Sequence, residues 1–466
     1  MSVNGAVDVH SLDPRRLAPI IGEDRLAALM LAAAELRRAV DGRRIVNVNS
    51  TATGGGVAEM LTTLLGYSRG LGIDVDWLVI SGDPDFFAIT KRLHNGLYGS
   101  PGDGGELGAA ERAHYDLVTE QNLEWLRRTV RRGDIVFVHD PQPAGLVAPL
   151  VELGARVVWR CHIGFEGTNE WTDRAWAFVR PYVEAAHAYV FSRAVFAPGW
   201  VDRASLHVIP PSIDPFAPKN RELGPSEVLA VCTAAGLIAA DGVEPDPRVR
   251  SPAHTVREGA PPDRRTPLVV QVSRWDRIKD MGGVLESFVR YVGVDDARLA
   301  LVGPAVKGVS DDPEGEQVWE ETVAAWRELP RDARARADLA TVPMDDPIEN
   351  ALVINALQRH ASIVVQKSLA EGFGLTVAEA MWKGRPVVAS AVGGIVEQVV
   401  DGETGLLVHD PRDLESFGAA IERLLRDPLE ADRLARNARS HVERHFLGDR
   451  HLLAYGVLVT ELLAAE

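Results

Sequence analysis

The chain has 466 residues, of which 46% are hydrophobic and 25% charged, with a formal net charge of −16. That length suits two domains rather than one, and the acidic balance excludes nucleic acid or an anionic membrane as the main partner, so a phosphate-bearing ligand needs a local basic site. No apolar run is long enough to cross a bilayer and residues 1–16 hold no apolar signal core, which predicts a cytoplasmic protein; two cysteines, Cys161 and Cys232, supply neither a disulfide framework nor a thiolate zinc site.

A polar tail precedes a helical stretch at 25–40 in which no chemistry is visible. Residues 44–49 read as a first strand, followed by Gly54-Gly55-Gly56 and a helix with apolar positions at Val57, Met60, Leu61, Leu64 and Leu65. Backbone N–H groups at such a helix start favour anions, which makes this loop a phosphate- or sugar-approach site. It is not GxGxxG, and no acidic residue closes a second strand at the distance a dinucleotide fold requires, which argues against a dehydrogenase. Further strands are predicted at 75–80, 134–139, 155–160, 188–191 and 206–209, with a helix at 115–130 among the patterns between them. The alternation implies a parallel, doubly wound sheet. Asp140 and His162 each fall at the carboxyl end of one of these strands, the edge where such sheets bind ligands.

The proline-dense run 209–218 reads as a linker, placing a first domain at 1–212 and a second at 213–447. Residues 222–265 read as an irregular, exposed excursion around one apolar piece, 228–240. The βα rhythm then resumes with strands at 267–272, 298–302, 339–342, 363–366, 386–389 and 405–408 and helices at 282–292, 317–328 and 348–360. Asp410-Pro411 reads as the N-cap and first turn of a helix carrying Leu414, Phe417, Ile421, Leu424 and Leu425 on one face. The tail 452–465 is apolar and helical.

Ser273-Arg274-Trp275 and Lys279 follow directly on the strand 267–272. The planar fork of Arg274 and the point charge of Lys279 can neutralise a diphosphate as it becomes a leaving group. Glu371-Gly372-Phe373-Gly374-Leu375 lies on the loop after strand 363–366, Glu379 in the helix that follows, and Gly384 is placed to end that helix in a left-handed cap. Gly372 and Gly374 allow close backbone approach to a ligand, and Gly393-Gly394 sits after the next strand. Arg274, Lys279, Glu371 and Gly393-Gly394 thus lie at strand carboxyl ends of one domain, and Gly54 to Gly56, Asp140 and His162 at those of the other. Two sheets facing each other across a cleft would gather them into one site.

Glu371, seven residues, Glu379 resembles the donor-sugar motif of the retaining glycosyltransferases of family 4. The pieces 46–60, 138–143, 159–163, 208–214, 271–274 and 371–384 extend the likeness and resemble that family's trehalose-forming branch. The resemblance implies a GT-B fold of two Rossmann-like domains, with a last helix, 448–466, crossing back onto the first. It implies transfer of glucose from a nucleoside-diphosphate glucose to free glucose with retention, giving α,α-trehalose. Arg274 and Lys279 would hold the diphosphate, Glu371 hydroxyls of the transferred sugar and Glu379 the ribose, with Gly55, Gly56, Gly372, Phe373, Gly374, Leu375, Gly393 and Gly394 lining the donor. His162 would meet the sugar's 6-hydroxyl, and Gly54, Asp140 and His162 the acceptor side. No carboxylate stands out as a nucleophile, so front-face attack assisted by the leaving phosphate is the path expected. No metal or other cofactor is expected. Two departures bear on the acceptor: Gly164-Phe-Glu166 stands where an acidic residue should follow Cys-His-Ile, and the segment 222–265 is longer than the branch's usual connection. A retaining trehalose phosphorylase, a family 4 hexosyltransferase with another acceptor, a nucleotide-sugar epimerase and a non-catalytic sensor stay open at this point, as do the nucleobase and a homodimer.

Overall fold

The computed structural model describes residues 5–53, 55–306 and 314–464. The chain divides into two compact units, Met1–Ser212 with Phe446–Glu466, and Ile213–His445.

Among the described residues, the first unit is built on seven strands, β1 (Ala6–Val7), β2 (Ile45–Asn49), β3 (Val75–Val79), β4 (Ile135–His139), β5 (Arg156–Cys161), β6 (Ala188–Phe191) and β7 (Leu206–Val208), in the order β1-β3-β2-β4-β5-β6-β7. All neighbours run parallel except β1, which pairs antiparallel with β3. β2 and β4 are buried along their whole length, as the strands of a sheet covered on both faces must be. The helix Gly448–Ala464 packs along Glu23–Val40 and covers one face, its Tyr455 ring 5.2 Å from that of Phe137. Trp159 meets Trp176 of the helix Glu170–Val183 on the other. The chain runs outward from β2 to β3 and then back across to β4. The loops leaving β2 and β4 therefore diverge, and such a switch point opens a crevice at the carboxyl edge.

The second unit repeats the plan with β8 (His254–Val256), β9 (Leu268–Val272), β10 (Arg298–Pro304), β11 (Ala337–Val342), β12 (Ile363–Gln366), β13 (Val387–Ser390) and β14 (Leu406–Val408), ordered β14-β13-β12-β9-β10-β11-β8. Only β8, on β11, is antiparallel. Val269, Leu301, Leu339 and Val365 of the sheet pack with Phe288, Trp326 and Phe417 of the covering helices. Truncating a fully buried ring such as Phe288 to alanine costs about 3–5 kcal/mol. The switch point here lies between β9 and β12, the strands that carry Arg274 and Lys279 and the Glu371 loop.

Three sequence expectations are corrected. Residues 222–265 are not an exposed excursion: the helix Pro225–Ala234 packs on Pro347–His360, Val231, Cys232, Ala235 and Ile238 are buried, and β8 extends the sheet. Pro and Asp density masked an apolar face only one short helix long. Asp410-Pro411 does not start the next helix, which runs Leu414–Arg426 and is capped by Asp413, whose carboxylate accepts from the Ser416 N–H at 2.9 Å. Asp410 instead accepts from the Arg412 N–H in a local turn. The tail before residue 25 contains β1, whose two residues are too few for any periodicity to show. Among the described residues no helix is long and apolar enough to cross a membrane.

Candidate active site

In the second unit the polar side chains at the β9 and β12 edge form one connected set. The Leu369 N–H donates to the Ile278 carbonyl at 2.7 Å, tying the two loops together. Gln271 of β9 donates to the Lys279 carbonyl at 2.8 Å and accepts from the Lys367 N–H at 2.9 Å, holding both loops from beneath. Lys279 Nζ then lies 2.5 Å from Glu371 Oε2, which also accepts from Ser368 Oγ at 3.2 Å. Ser368 Oγ accepts from Gln366, and the Thr376 hydroxyl donates to the same amide's oxygen at 2.9 Å. Lys367, 1% exposed, bonds Asp280 and donates to the Pro411 carbonyl at 2.8 Å. Asp280, in the left-handed region at φ 46°, caps the helix Met281–Tyr291. The residue after Lys279 is thereby fixed by a buried cation.

Arg274 is more open, and its Nη2 lies 3.3 Å from Oδ2 of the buried Asp276. Gly374 (φ 88°) begins the turn into the helix Leu375–Trp382, and Gly384 (φ 64°) follows that helix as expected from sequence. Gly393 has no alternative: φ is 53° and a Cβ there would fall 1.5 Å from the Glu371 carbonyl oxygen. A Cβ on Gly394 would meet Phe373 Cα at 2.5 Å. The Gly393-Gly394 turn therefore presses directly on the Glu371–Phe373 backbone. Gly372 belongs to that same loop, and Phe373 and Leu375 flank Gly374. Glu379, 2% exposed, faces Lys219 Nζ at 3.8 Å, a residue the sequence did not single out.

In the first unit Asp140 and His162 are brought together. Asp140 sits in the left-handed region at φ 65°, and its Oδ1 accepts from the His162 backbone N–H at 2.6 Å. Burial pushes its carboxyl up to about 7, against the lowering effect of that bond and of Arg160. The following Pro141-Gln142 turn is anchored by Tyr115 Oη, 2.7 Å from the Pro141 carbonyl. The His162 ring is not open on all sides: Nε2 lies 3.0 Å from His139 Nδ1, and Nδ1 lies 3.4 Å from Arg160 Nε. Burial, with Arg160, His139 and His451, holds its pKa well below the ordinary value, so the ring is neutral. His139 and Arg160 were missed in the sequence. Strand alternation could have found them, because both point to the face that carries Asn47. Glu166, the acid displaced from the expected position, is paired with Arg193. Gly55 (φ 95°) caps the helix Gly56–Gly70, while Gly54 lies outside the described residues. Among the described residues no group of three or more His, Cys, Asp or Glu side chains is placed to hold a metal ion.

Residues 47–198 match the family described as trehalose synthase, N-terminal domain, and residues 346–441 match glycosyl transferases group 1. The chain is 34% identical to the trehalose synthase of Pyrococcus horikoshii over 94% of its length and 93% of that protein. It is 37% identical to the trehalose synthase of Rubrobacter xylanophilus over 90% of each. In structure it is similar to the α,α-trehalose-phosphate synthase (UDP-forming) of Burkholderia vietnamiensis, with a TM-score of 0.67 at 16% identity, covering 91% of this chain and 99% of that one. Two doubly wound units with polar sets at their switch points, and identity of this order along nearly the whole chain, place it in the trehalose synthase family of group 1 glycosyltransferases, on the GT-B fold.

Proposed function

We propose that this chain transfers glucose from a nucleoside-diphosphate glucose to free glucose with retention, forming α,α-trehalose. The observation that carries the reading is likeness to trehalose synthases over nearly the full length, in the first unit as well as the second. The second unit supplies what a nucleotide-sugar donor requires. Arg274 and Lys279 offset the charge that grows on the diphosphate as its bond to the sugar breaks. Glu371 accepts hydrogen bonds from hydroxyls of the transferred sugar, and Glu379 from the ribose. The Gly393-Gly394 turn holds the Glu371 backbone in place for this.

In the first unit Gly54, Asp140 and His162 serve the acceptor side and Gly55 and Gly56 the donor phosphate, with His162 directed at the 6-hydroxyl of the donor sugar. Retention follows from attack on the face the phosphate leaves, where the leaving oxygen takes the acceptor's proton. A small, neutral, fully hydroxylated acceptor also fits a chain with a net charge of −16. The test is incubation of nucleoside-diphosphate glucoses with labelled glucose and identification of the product by NMR. A non-reducing disaccharide linked through both anomeric carbons is expected. A reducing disaccharide, transfer only to glucose 6-phosphate, or turnover only with inorganic phosphate and trehalose would overturn the assignment.

A further inference from the structure

Parallel register places Asn47 of β2 beside Phe137 of β4, and His139 of β4 beside Arg160 of β5. With side chains alternating along each strand, all four share one sheet face, the one covered by the helix Gly448–Ala464. Three contacts run along this face: Arg160 Nε to His162 Nδ1 at 3.4 Å, His162 Nε2 to His139 Nδ1 at 3.0 Å, and His139 Nε2 to Asn47 Oδ1 at 3.0 Å.

The protons on this row are determined from its ends. An amide oxygen only accepts, so His139 Nε2 carries hydrogen, and its Nδ1 in a neutral ring must accept. His162 Nε2 therefore donates, which leaves His162 Nδ1 to accept. Its partner there is a guanidinium, which only donates. The assignment begun at Asn47 thus closes without conflict at Arg160. Neutral rings are what the surroundings favour: burial, with Arg160 adding to it, holds His139 down to about 3, and His162 is lowered for the same reasons. The two rings lie nearly parallel, 13° apart, with centroids 5.3 Å from each other.

We propose that His139 is a positioning residue for glucosyl transfer, fixing the imidazole of His162 in its Nε2–H tautomer and in one orientation at the carboxyl edge of β5. The role rests on the reading that His162 meets the transferred sugar. With the backbone N–H of His162 on Asp140 and its ring on His139, the residue is fixed at two points. With Nε2–H held by His139, the ring atom that turns to the sugar's 6-hydroxyl is Nδ1, whose 3.4 Å contact with Arg160 Nε is the longest of the three, and its orientation is set before substrate arrives.

Two substitutions in the full chain separate this role from mere packing. His139→Phe fills the volume and removes both bonds, whereas His139→Asn keeps an acceptor where Nδ1 stood. With nucleoside-diphosphate glucose and glucose, His139→Phe is expected to lower kcat on the order of 10- to 100-fold and to change donor KM by less than about twofold. His139→Asn is expected to recover most of that kcat, and His139→Phe is expected to add no loss on top of His162→Ala. A rate reduced by His162→Ala but not by His139→Phe would overturn the positioning role and leave the reading of His162 intact. A rate untouched by His162→Ala would remove that reading and this proposal with it. Should His139→Phe not fold, ¹⁵N NMR of histidine-labelled wild-type protein decides. A protonated Nε2 and a bare Nδ1 on His162 are expected, and the opposite tautomer overturns the proposal.

Discussion

Lys279 Nζ and Glu371 Oε2 stand 2.5 Å apart, joining the two loops that leave β9 and β12 on either side of the second unit's switch point. Both side chains are largely withdrawn from solvent, 13% and 9% exposed, so each offsets a charge the other would leave unpaired. Under the proposed roles a bound donor exchanges this pair, with the ammonium turning to phosphate and the carboxylate to sugar hydroxyls. Lys279→Ala should therefore reduce kcat by about 100-fold, because the charge it meets grows in the transition state. Glu371→Gln should also impair transfer, yet bind the free nucleoside diphosphate at least as tightly as wild type, since Lys279 no longer has to leave a carboxylate. Steady-state kinetics and calorimetry check both. A Lys279→Ala enzyme of unchanged kcat would relegate the pair to a structural tie.

Glu379 behaves differently because its partner is different. It is 2% exposed, on the helix Leu375–Trp382, with Lys219 Nζ 3.8 Å away. Assigned to the ribose, it makes hydrogen bonds from a charged acceptor, each worth about 1.5–3 kcal/mol. Glu379→Gln should weaken nucleoside-diphosphate binding by about tenfold or more, with a smaller effect on turnover once donor saturates. His162→Ala should show the reverse pattern. Equal loss of nucleotide affinity in the two variants, by calorimetry, would mean that the roles are wrongly divided.

Much of this frame was legible in the sequence. Runs such as Ile363–Gln366 and Ala188–Phe191 are buried on both faces, so short β-branched or aromatic runs could mark them, and Gly384 and Gly393 stand where left-handed backbone leaves little else. The candidate residues at strand ends were legible for the same reason: a strand's last residue is followed by whatever the edge requires. What the sequence concealed was pairing. Nothing in the chain links Lys279 to Glu371 across 92 positions, or Lys367 to Asp280 across 87. Strand order decides which loops become neighbours. Alternation gives the faces of His139 and Arg160 along their own strands, but that the two stand side by side depends on the β4–β5 register, and their burial on which face the helix Gly448–Ala464 covers.

The buried polar face of the first unit should make stability depend on pH. His139, His162 and His451 are held neutral by burial, with folded pKa values below the ordinary 6.5, about 3 for His139 and His451. Unfolding lets each take up a proton once pH falls beneath 6.5. Asp140 acts in the opposite sense. Raised from 3.8 to about 7, it keeps a proton when folded that the unfolded chain releases, so its contribution is present below 3.8 and lost as pH rises through 7. Three groups against one leave a net uptake near two protons at pH 5 to 6, each worth about 1.4 kcal/mol per pH unit. Stability should fall from pH 6.5 to 5, and His139→Asn should reduce that slope by one proton. Urea midpoints at several pH values measure it, and identical slopes in the two proteins would refute the assignment.

The last helix offers a test of how the first unit is completed. Asp449, 1% exposed at its side chain, opens the helix Gly448–Ala464 and receives a two-pronged contact from Arg25 of the helix Glu23–Val40. Nε lies 2.9 Å from Oδ2 and Nη2 2.8 Å from Oδ1. The partners are 424 positions apart, so the pair closes the first unit from the two ends of the chain. A buried carboxylate stripped of its cation costs about 3–5 kcal/mol, whereas replacing both partners by apolar residues of similar size is often neutral. Arg25→Ala should therefore destabilise the first unit by about 3 kcal/mol, and Arg25→Met with Asp449→Leu should restore most of the loss. Neither change touches the Lys279–Glu371 pair, so kcat for the protein that remains folded should stay near the wild-type value. Thermal unfolding and activity on the same samples give both readings. A double variant as unstable as Arg25→Ala would mean that the helix is held by the fork itself rather than by the need to pair Asp449.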